Sequence, residues 1–262
     1  MGSATVSTAV GYYDQPMLKR PVWSADIPLY YFVGGAAGAA LTLGAACQLL
    51  CDKEFRQLST RCHWIGIAGC TIGAALLIHD LGRPERFAFM LRVFRPTSPM
   101  NIGAWILAGA APTAFASRLP GRIGEISGYA SGIFGAALAG YTGVLVANTV
   151  QPAWRDSGRW MPPLFIASGA AAAASILEIL YPHGAAARVT RIFGTAGRAA
   201  ELLAAQKVSK TSFLWKAAGA LTAASLVISL LPGKSKSRKR IAGVLGAAGS
   251  LCLRFAVHRE GR

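Results

Sequence analysis

Acid, histidine and tyrosine side chains are concentrated in three short segments of an otherwise apolar chain. The segments read DIPLYYFVGGAAGA from Asp26, HDLGRPERFAFMLRVFRPTSPMNIGAW from His79 and YTGVLVANTVQPAW from Tyr141. A carboxylate such as that of Asp26 can exchange protons, and a tyrosine hydroxyl such as that of Tyr141 can bond a ligand carbonyl. These residue types therefore suit a site that exchanges protons with a small carbonyl compound.

Each of these side chains also has an ordinary structural role. Asp26 stands at the start of an apolar run, where an aspartate commonly caps a helix, and this role is compatible with proton exchange. Tyr141 could form a hydrogen bond between helices instead of contacting a ligand. Tyr30 and Tyr31 could belong to an aromatic belt at the membrane boundary.

The segment after His79 combines a turn with an excess of arginine. Asp80 and Arg83 flank a glycine turn and could form an ion pair that fixes the loop. One acidic residue, Glu85, accompanies four arginines, which are Arg83, Arg86, Arg92 and Arg95. This excess of positive charge favours a docking surface for an acidic partner or contacts with lipid headgroups.

Long uncharged runs separate and position these segments. They span residues 27–50, 62–79, 101–117, 126–154, 160–177, 217–233 and 241–253. A helix needs ~20 apolar residues to cross a hydrocarbon core of ~30 Å. With 53% hydrophobic and 15% charged residues, the composition is that of a polytopic membrane protein. We predict an all-α integral membrane bundle of seven or eight transmembrane helices, without a cleaved secretory signal.

Alternate connections of such a bundle lie on the same side of the membrane. The N-terminal segment, the 80–100 loop and the 148–161 loop therefore share one face, here called the site face. Asn148 lies at this face, and Tyr141 lies ~10 Å deeper by helical rise. Glu178, near the far end of the fifth run, either reaches interfacial water or forms the outer end of a proton path.

Residues 185–206 form a separate amphipathic element. One arc of its helical projection carries Arg191, Arg198 and Glu201, and the opposite arc carries Ile192, Phe193, Ala196 and Leu203. Each arginine is costly at the centre of a bilayer, so we predict a helix that lies in the membrane interface. We divide the chain into a transmembrane bundle, 1–181, and a region of this helix plus C-terminal spans, 182–262.

Histidine and cysteine spacing argues against a metal or haem centre within the chain. His63 and His79 lie at opposite ends of one run, ~24 Å apart by helical rise, so they cannot hold a haem together. The five cysteines include no C-x-x-C pair, so we expect neither an iron–sulfur cluster nor another metal site. The net charge of +16 accompanies no soluble basic domain, so we expect no nucleic-acid partner.

At these motifs the chain resembles the NrfD/polysulfide reductase family of membrane subunits. The resemblance runs from about Gly11 to about Leu177 and rests on GYYDQP, PVWSADIPLYYFVGGAAGA, DLGRPERFAFMLRVFRPTSPMNIGAW and YTGVLVANTVQPAW. It implies an NrfD-like anchor in a bacterial inner membrane that binds menaquinone or ubiquinone and holds no haem or iron–sulfur cluster. It also implies two partners, a ferredoxin-like four-cluster iron–sulfur subunit and a molybdopterin or multihaem catalytic subunit.

The resemblance also implies where the quinone pocket lies. The family uses polar residues at the start of its first helix and a tyrosine within the bundle. The matching positions are Asp26, Tyr30 or Tyr31, and Tyr141. A histidine of the family's first helix has no counterpart here, so Asp26 or His79 is expected to handle the proton. His79 and Asn148 complete the expected pocket.

We therefore expect a quinone-binding subunit of a respiratory oxidoreductase complex that takes up or releases protons. One alternative is a transporter, which would show two related halves and broken helices near the midplane. No repeat relates residues 26–117 to 126–233. The other alternative is a purely structural membrane anchor, which the sequence does not distinguish from a quinone site.

Overall fold

The fold is entirely helical in a computed structural model that describes residues 24–50, 53–83, 85–149, 151–181, 186–208, 212–231 and 235–261. No β-strand occurs among these residues, and the prediction of an all-α membrane bundle is confirmed. The N-terminal motif GYYDQP, Cys51 and His183 lie outside the described residues.

The described residues form ten α-helices and a 3₁₀ turn at Gly158–Trp160. The helices are α1 (Asp26–Leu49), α2 (Lys53–Asp80), α3 (Glu85–Met90), α4 (Pro99–Ala116), α5 (Gly121–Ala147), α6 (Pro152–Arg155), α7 (Met161–Leu180), α8 (Ala186–Val208), α9 (Phe213–Leu230) and α10 (Lys236–Glu260). Six of them are long and apolar enough to cross a membrane, namely α1, α2, α5, α7, α9 and α10. The protein is therefore a multi-pass membrane protein, and the exact number of spans stays a prediction.

Local hydrogen bonds and prolines set several helix ends. The Ser98 side chain accepts a hydrogen bond from the backbone N–H of Asn101 at 3.4 Å, and Pro99 occupies the first position of α4. The predicted fourth run, 126–154, is interrupted after Ala147. Asn148 folds back onto its own helix there, and the chain continues into the separate short helix α6.

The long helices form two groups that meet at α1. One group comprises α1, α2, α4 and α5, and the other comprises α7, α8, α9 and α10. Helix α1 packs against α2 and α5 within its group and against α7 and α10 of the other group. Glycines allow the close crossing of α1 and α5, since a Cβ at Gly38 would lie only 2.5 Å from the carbonyl oxygen of Gly135.

Helix α8 does not lie flat at the membrane interface as predicted. It runs antiparallel along α7, with Gly194 beside Ala174 and Gly197 beside Ala171. Two residues of its polar arc, Arg198 and Glu201, face the bundle and are 0% and 3% exposed, whereas Arg191 of the same arc is exposed. Leu203 on the opposite arc is 64% exposed. The amphipathic pattern was recognised, but its direction was assigned wrongly: a helix surrounded by lipid turns its polar face inward.

The antiparallel course of α8 brings the ends of the last two helices back to the site face. Ser212, before α9, donates its hydroxyl to the Glu260 carboxylate at the end of α10 over 2.9 Å. The Trp154 indole N–H donates to the carbonyl oxygen of Val257 over 2.7 Å. The helices on either side of Tyr181 thus pack together, and the proposed division of the chain there stays a prediction.

Candidate functional site

A carboxylate and an imidazole meet where α1 begins and α2 ends. His79 Nδ1 lies 2.7 Å from Asp26 Oδ2. Ser24 lies beside this pair, with its hydroxyl 2.9 Å from Asp26 Oδ2 and 2.6 Å from Asp80 Oδ1. The backbone N–H of Ser24 also donates to Asp80 Oδ1 over 3.1 Å. Ser24 thus joins both carboxylates and fixes the start of α1 to the end of α2.

The Asp26–His79 pair is positioned to accept a proton from outside the bundle. The His79 side chain is 80% exposed, whereas that of Asp26 is 21% exposed. A hydrogen bond from Nδ1–H to the carboxylate leaves the lone pair of Nε2 as an acceptor. If Nε2 takes up a proton, the adjacent carboxylate stabilises the resulting imidazolium. The arrangement therefore suits general base chemistry at an exposed ring nitrogen.

A pair of buried tyrosines lies deeper in the first helix group. Tyr30 is one turn along α1 from Asp26, and its hydroxyl oxygen lies 2.7 Å from that of Tyr141 on α5. The Tyr141 ring packs over Gly103 of α4, where a Cβ would overlap it. This bond uses one of the two hydroxyl hydrogens, so the tyrosine that accepts it can still donate its own hydrogen to a ligand oxygen.

Tyr31 faces the second helix group rather than the tyrosine pair. Its ring centroid lies 5.7 Å from that of Phe165 on α7, in an edge-on arrangement. The Tyr31 hydroxyl is buried and has no hydrogen-bond partner among the described residues. On the same phenylalanine, the Arg254 guanidinium carbon lies 3.9 Å from the ring centroid. Tyr31 therefore lies between the candidate site and the interior of the second group.

Asn148 and Asp80 make contacts that differ from those expected from the sequence. Asn148 is exposed, and its amide donates to the carbonyl oxygen of Val144 over 2.8 Å, so it caps α5 and does not join the tyrosine pair. Asp80 bonds Ser24, and no ion pair between Asp80 and Arg83 occurs in the described part of the chain. Asp80 is thus held in place by hydrogen bonds from Ser24 and not by an ion pair with Arg83.

The arginine-rich loop is held by Asn101 and presents its charges outward. The Asn101 amide donates to the carbonyl oxygens of Met90 and Val93 over 2.6 and 3.1 Å, and its Oδ1 accepts from the backbone N–H of Arg95 over 2.7 Å. All four loop arginines, Arg83, Arg86, Arg92 and Arg95, are exposed. Phe89 is 64% exposed beside them, so the surface is both basic and apolar.

The second helix group contains charged residues in its interior, of which the sequence indicated only Glu178. Glu178 forms a buried ion pair with Arg198, whose Nη2 lies 2.6 Å from Glu178 Oε2. Glu201 accepts hydrogen bonds from Thr222 over 2.7 Å and from Ser250 over 2.9 Å. The sequence does not indicate the interior role of Arg198 and Glu201, because their arc is interpreted as part of a helix that lies in the membrane interface.

Arg254 is the buried cation nearest the tyrosines. Its Nη2 donates to the carbonyl oxygen of Phe165 over 2.9 Å, whereas its Nε and Nη1 are buried without a hydrogen-bond partner in the described structure. Glu201 lies within electrostatic range of this guanidinium. The sequence signal for this group is a single arginine directly after the apolar run 241–253 and within α10, because such charges are rare in membrane helices unless they act in function.

Two cavities approach these charges from opposite ends of the second group. One of about 30 Å³, the space of about one water molecule, borders Glu178, Arg191 and Arg238 near the face opposite the site face. Another of about 500 Å³ borders Glu201, Trp215 and Lys216 toward the site face. Each of the two buried acids therefore borders a cavity.

The comparison with protein families covers the first helix group and α7 to α9 of the second, and ends before α10. A family model described as polysulfide reductase matches residues 23–233. The matched range includes the Asp26–His79 pair, Tyr141 and the buried acids Glu178 and Glu201. No curated protein matches the chain.

Proposed function

The chain belongs to the NrfD-type polysulfide reductase family, and on this premise we propose that it is the quinone-binding membrane subunit of a respiratory oxidoreductase complex. The complex lies in a bacterial inner membrane. The subunit has no haem or iron–sulfur cluster, and its bound substrate is a menaquinol or ubiquinol, or the corresponding quinone. It exchanges electrons with an iron–sulfur partner.

The observation that carries this proposal is the Asp26–His79 contact of 2.7 Å at the exposed end of α1 and α2. In the direction of quinol oxidation, His79 Nε2 accepts the proton of a quinol hydroxyl. Asp26 holds the ring through Nδ1 and stabilises the imidazolium. The imidazolium releases this proton to water, and His79 Nε2 then accepts the proton of the second hydroxyl and releases it in the same way. The two electrons leave one after the other to the iron–sulfur clusters of the partner, so that the quinol becomes a quinone.

In this proposal Tyr141 donates its hydroxyl hydrogen to a quinone oxygen while it accepts the hydrogen bond of Tyr30. Both buried hydroxyls are then paired, so the arrangement avoids the cost of an unsatisfied polar group. Tyr30 lies ~6 Å along α1 from Asp26 by helical rise. A quinone ring can therefore lie between the tyrosine pair and the exposed imidazole.

The arginine loop docks the partner. Arg83, Arg86, Arg92 and Arg95 are exposed at the site face, next to the residues that handle the quinone. Exposed Phe89 and Phe94 add apolar anchors, and arginine with aromatic residues is the typical composition of protein interfaces. The partner is a ferredoxin-like four-cluster subunit with an acidic surface, which serves a molybdopterin or multihaem enzyme.

The first experiment measures binding of a fluorescent quinone analogue to the purified protein in lipid nanodiscs. We expect His79→Gln to weaken binding and to stop quinol-dependent electron transfer in the intact complex. The matched control is Asp156→Asn, an exposed acid elsewhere at the site face. Unchanged binding and turnover in His79→Gln, with the complex assembled, would leave the structural anchor as the better description.

The second experiment tests the docking surface. Reversing two loop arginines together, Arg86→Glu and Arg92→Glu, should reduce co-purification of the iron–sulfur subunit because it replaces attraction by repulsion. The control reverses Lys236 and Arg240, two exposed cations of α10 at the opposite face. If the control variant loses the partner and the loop variant keeps it, the partner binds at the opposite face and the proposed docking surface is wrong.

A second candidate function, proton transfer across the bundle, is favoured by the buried charges of the second helix group. Tyr31 and Arg254 share Phe165, Arg254 lies near Glu201, and the Glu178–Arg198 pair lies beside a cavity near the opposite face. Buried charges cost several kcal/mol each, so a network of four calls for a role beyond stability. Glu178 is then the outer end of the path.

The test of proton transfer uses the complex in liposomes with quinol added outside. Glu201→Gln should lower the number of protons crossing the membrane per quinol oxidised, while detergent-solubilised complex keeps its oxidation rate. Glu54→Gln, an exposed acid at the start of α2, serves as control. An unchanged proton count in Glu201→Gln rejects the path without affecting the quinone site.

A further inference from the structure

A basic cavity lies at the face opposite the site face, among the ends of α1, α2, α4 and α5. Its volume is about 510 Å³. Its polar lining comes from Gln48, Arg56, Ser59, Thr60, His63 and Arg118, with Arg122 and Glu125 at its edge. Neither the quinone site nor the buried charges of the second group reach this cavity.

The charges of the cavity favour an anion. Arg56, Arg118 and Arg122 outnumber the single acid of its lining, Glu125. No ion pair engages any of these arginines within the described ranges of the chain. Guanidinium groups bind phosphate oxygens through paired N–H donors, and three of them around one cavity suit a phosphate group in charge.

The wall of the cavity contains a histidine with one unfilled ring position. His63 is 2% exposed, and its Nδ1 lies 2.8 Å from the carbonyl oxygen of Ser59, so Nδ1 carries the hydrogen. Its Nε2 is buried and has no hydrogen-bond partner among the described residues. When the ring is protonated, Nε2 can donate to a phosphate oxygen.

The surroundings of the cavity fit a lipid rather than free phosphate. Trp64, Leu119 and Ile123 are each more than half exposed beside it. The Arg118 guanidinium lies 6.0 Å from the centroid of the Trp64 ring, and its Nη1 donates to Thr60 Oγ1 over 3.4 Å. Arginine and tryptophan together are typical of the level where headgroups meet acyl chains.

From these observations we propose that the cavity binds the phosphate of an anionic phospholipid whose acyl chains lie against Trp64 and the outer side of α2 and α4. The phosphate bridges Arg118 and Arg122, which follow α4 and begin α5, to Arg56 of α2. The lipid thereby holds together the ends of the helices whose opposite ends carry the quinone-handling residues.

The test is native mass spectrometry of the full-length protein extracted from mixed vesicles of phosphatidylglycerol and phosphatidylcholine. We expect the wild type to retain phosphatidylglycerol in preference to phosphatidylcholine. The double variant Arg118→Gln, Arg122→Gln should retain it roughly tenfold less, since it removes two charge-assisted contacts. Arg118→Lys should fall between the two, because it keeps the charge and loses the paired donors. The control is Lys236→Gln, Arg240→Gln.

A second measurement separates a lipid from a free anion. Thermal unfolding of delipidated protein is followed with added phosphatidylglycerol, phosphatidylcholine or inorganic phosphate. Protection by phosphatidylglycerol alone, lost in the double variant, supports the proposal. Equal protection by inorganic phosphate would identify a site for free anions, and equal retention of both lipids by wild type and variant would reject an anion site altogether.

Discussion

The two helix groups place their acidic side chains differently. In the group of α1, α2, α4 and α5, Asp26 and His79 pair at an exposed helix end, and the interior holds tyrosine hydroxyls and the ring of His63. In the group of α7 to α10, Glu178 and Glu201 lie inside, with Arg198 and Arg254 almost fully buried beside them. The Asp26–His79 pair is therefore open to its surroundings, whereas the acids of the second group are enclosed by helices.

Substitutions of charged residues in the two groups should therefore affect different properties. Those at the exposed helix end should change ligand binding and turnover, and those in the interior should change the free energy of unfolding. A group at an exposed end is already solvated, so its loss changes chemistry more than folding. A buried ion pair has lost its hydration, so removal of one partner leaves an uncompensated charge. The following substitutions test that separation, beginning with the largest expected effect.

Glu178→Gln should destabilise the protein by about 3–5 kcal/mol, because it leaves Arg198 buried without its carboxylate. Denaturant unfolding in micelles, followed by circular dichroism, measures the loss. Asp156→Asn provides the control at an exposed acid. A change below ~1 kcal/mol in Glu178→Gln would mean that the pair is solvated and that the two groups do not differ as described.

Gly38→Ala should cost about 1–3 kcal/mol, because the added methyl group meets the Gly135 backbone at the crossing of α1 and α5. Gly219→Ala in α9 is the matched control, since a Cβ there meets nothing within 4 Å. The same unfolding assay applies to both. Equal stability of the two variants would show that close glycine packing does not hold the first group.

Tyr141→Phe should weaken binding of the quinone analogue several-fold, the effect of about 1 kcal/mol for one lost hydrogen bond. Tyr129→Phe, on the same helix and about three turns away, is the control. Titration of the analogue into nanodiscs gives both dissociation constants. Identical constants would remove Tyr141 from the pocket while leaving the Asp26–His79 proposal open to its own test.

Asp26→Asn should have the smallest effect on stability and a clear effect on turnover. Asparagine keeps the shape and can still bond His79, but it no longer stabilises the imidazolium by charge. We expect slower quinol-dependent electron transfer with nearly unchanged binding and unfolding, measured on the assembled complex. A loss of stability as large as that of Glu178→Gln would contradict the contrast between the two groups.

The membrane bundle could be predicted from the sequence, and so could the position of the polar segments on one face of it. Counting alternate runs placed Asp26 and His79 on one face, and the structure brings them into contact at 2.7 Å. It could not reveal that Tyr141 bonds Tyr30 or that Asn148 turns back onto α5, because those choices depend on side-chain packing. The quinone-binding role of these residues stays a prediction.

The error at α8 has a physical cause. Its arcs were recognised from spacing, but spacing alone does not tell whether the apolar arc faces a protein core or lipid. Arg198 and Glu201 were assigned outward because charge usually seeks water, and their partners Glu178, Thr222 and Ser250 come from three other helices. Only the tertiary arrangement shows that these partners exist.

The polar face that α7 and α8 share also bears on how the protein enters the membrane. Helix α8 is not among the helices apolar enough to cross a bilayer by composition, and its Arg198 would face hydrocarbon unless Glu178 of α7 were already beside it. The two helices are antiparallel neighbours in the chain, so they can enter the bilayer together as a hairpin whose charges neutralise each other. We therefore expect α7 and α8 to enter the bilayer as one unit.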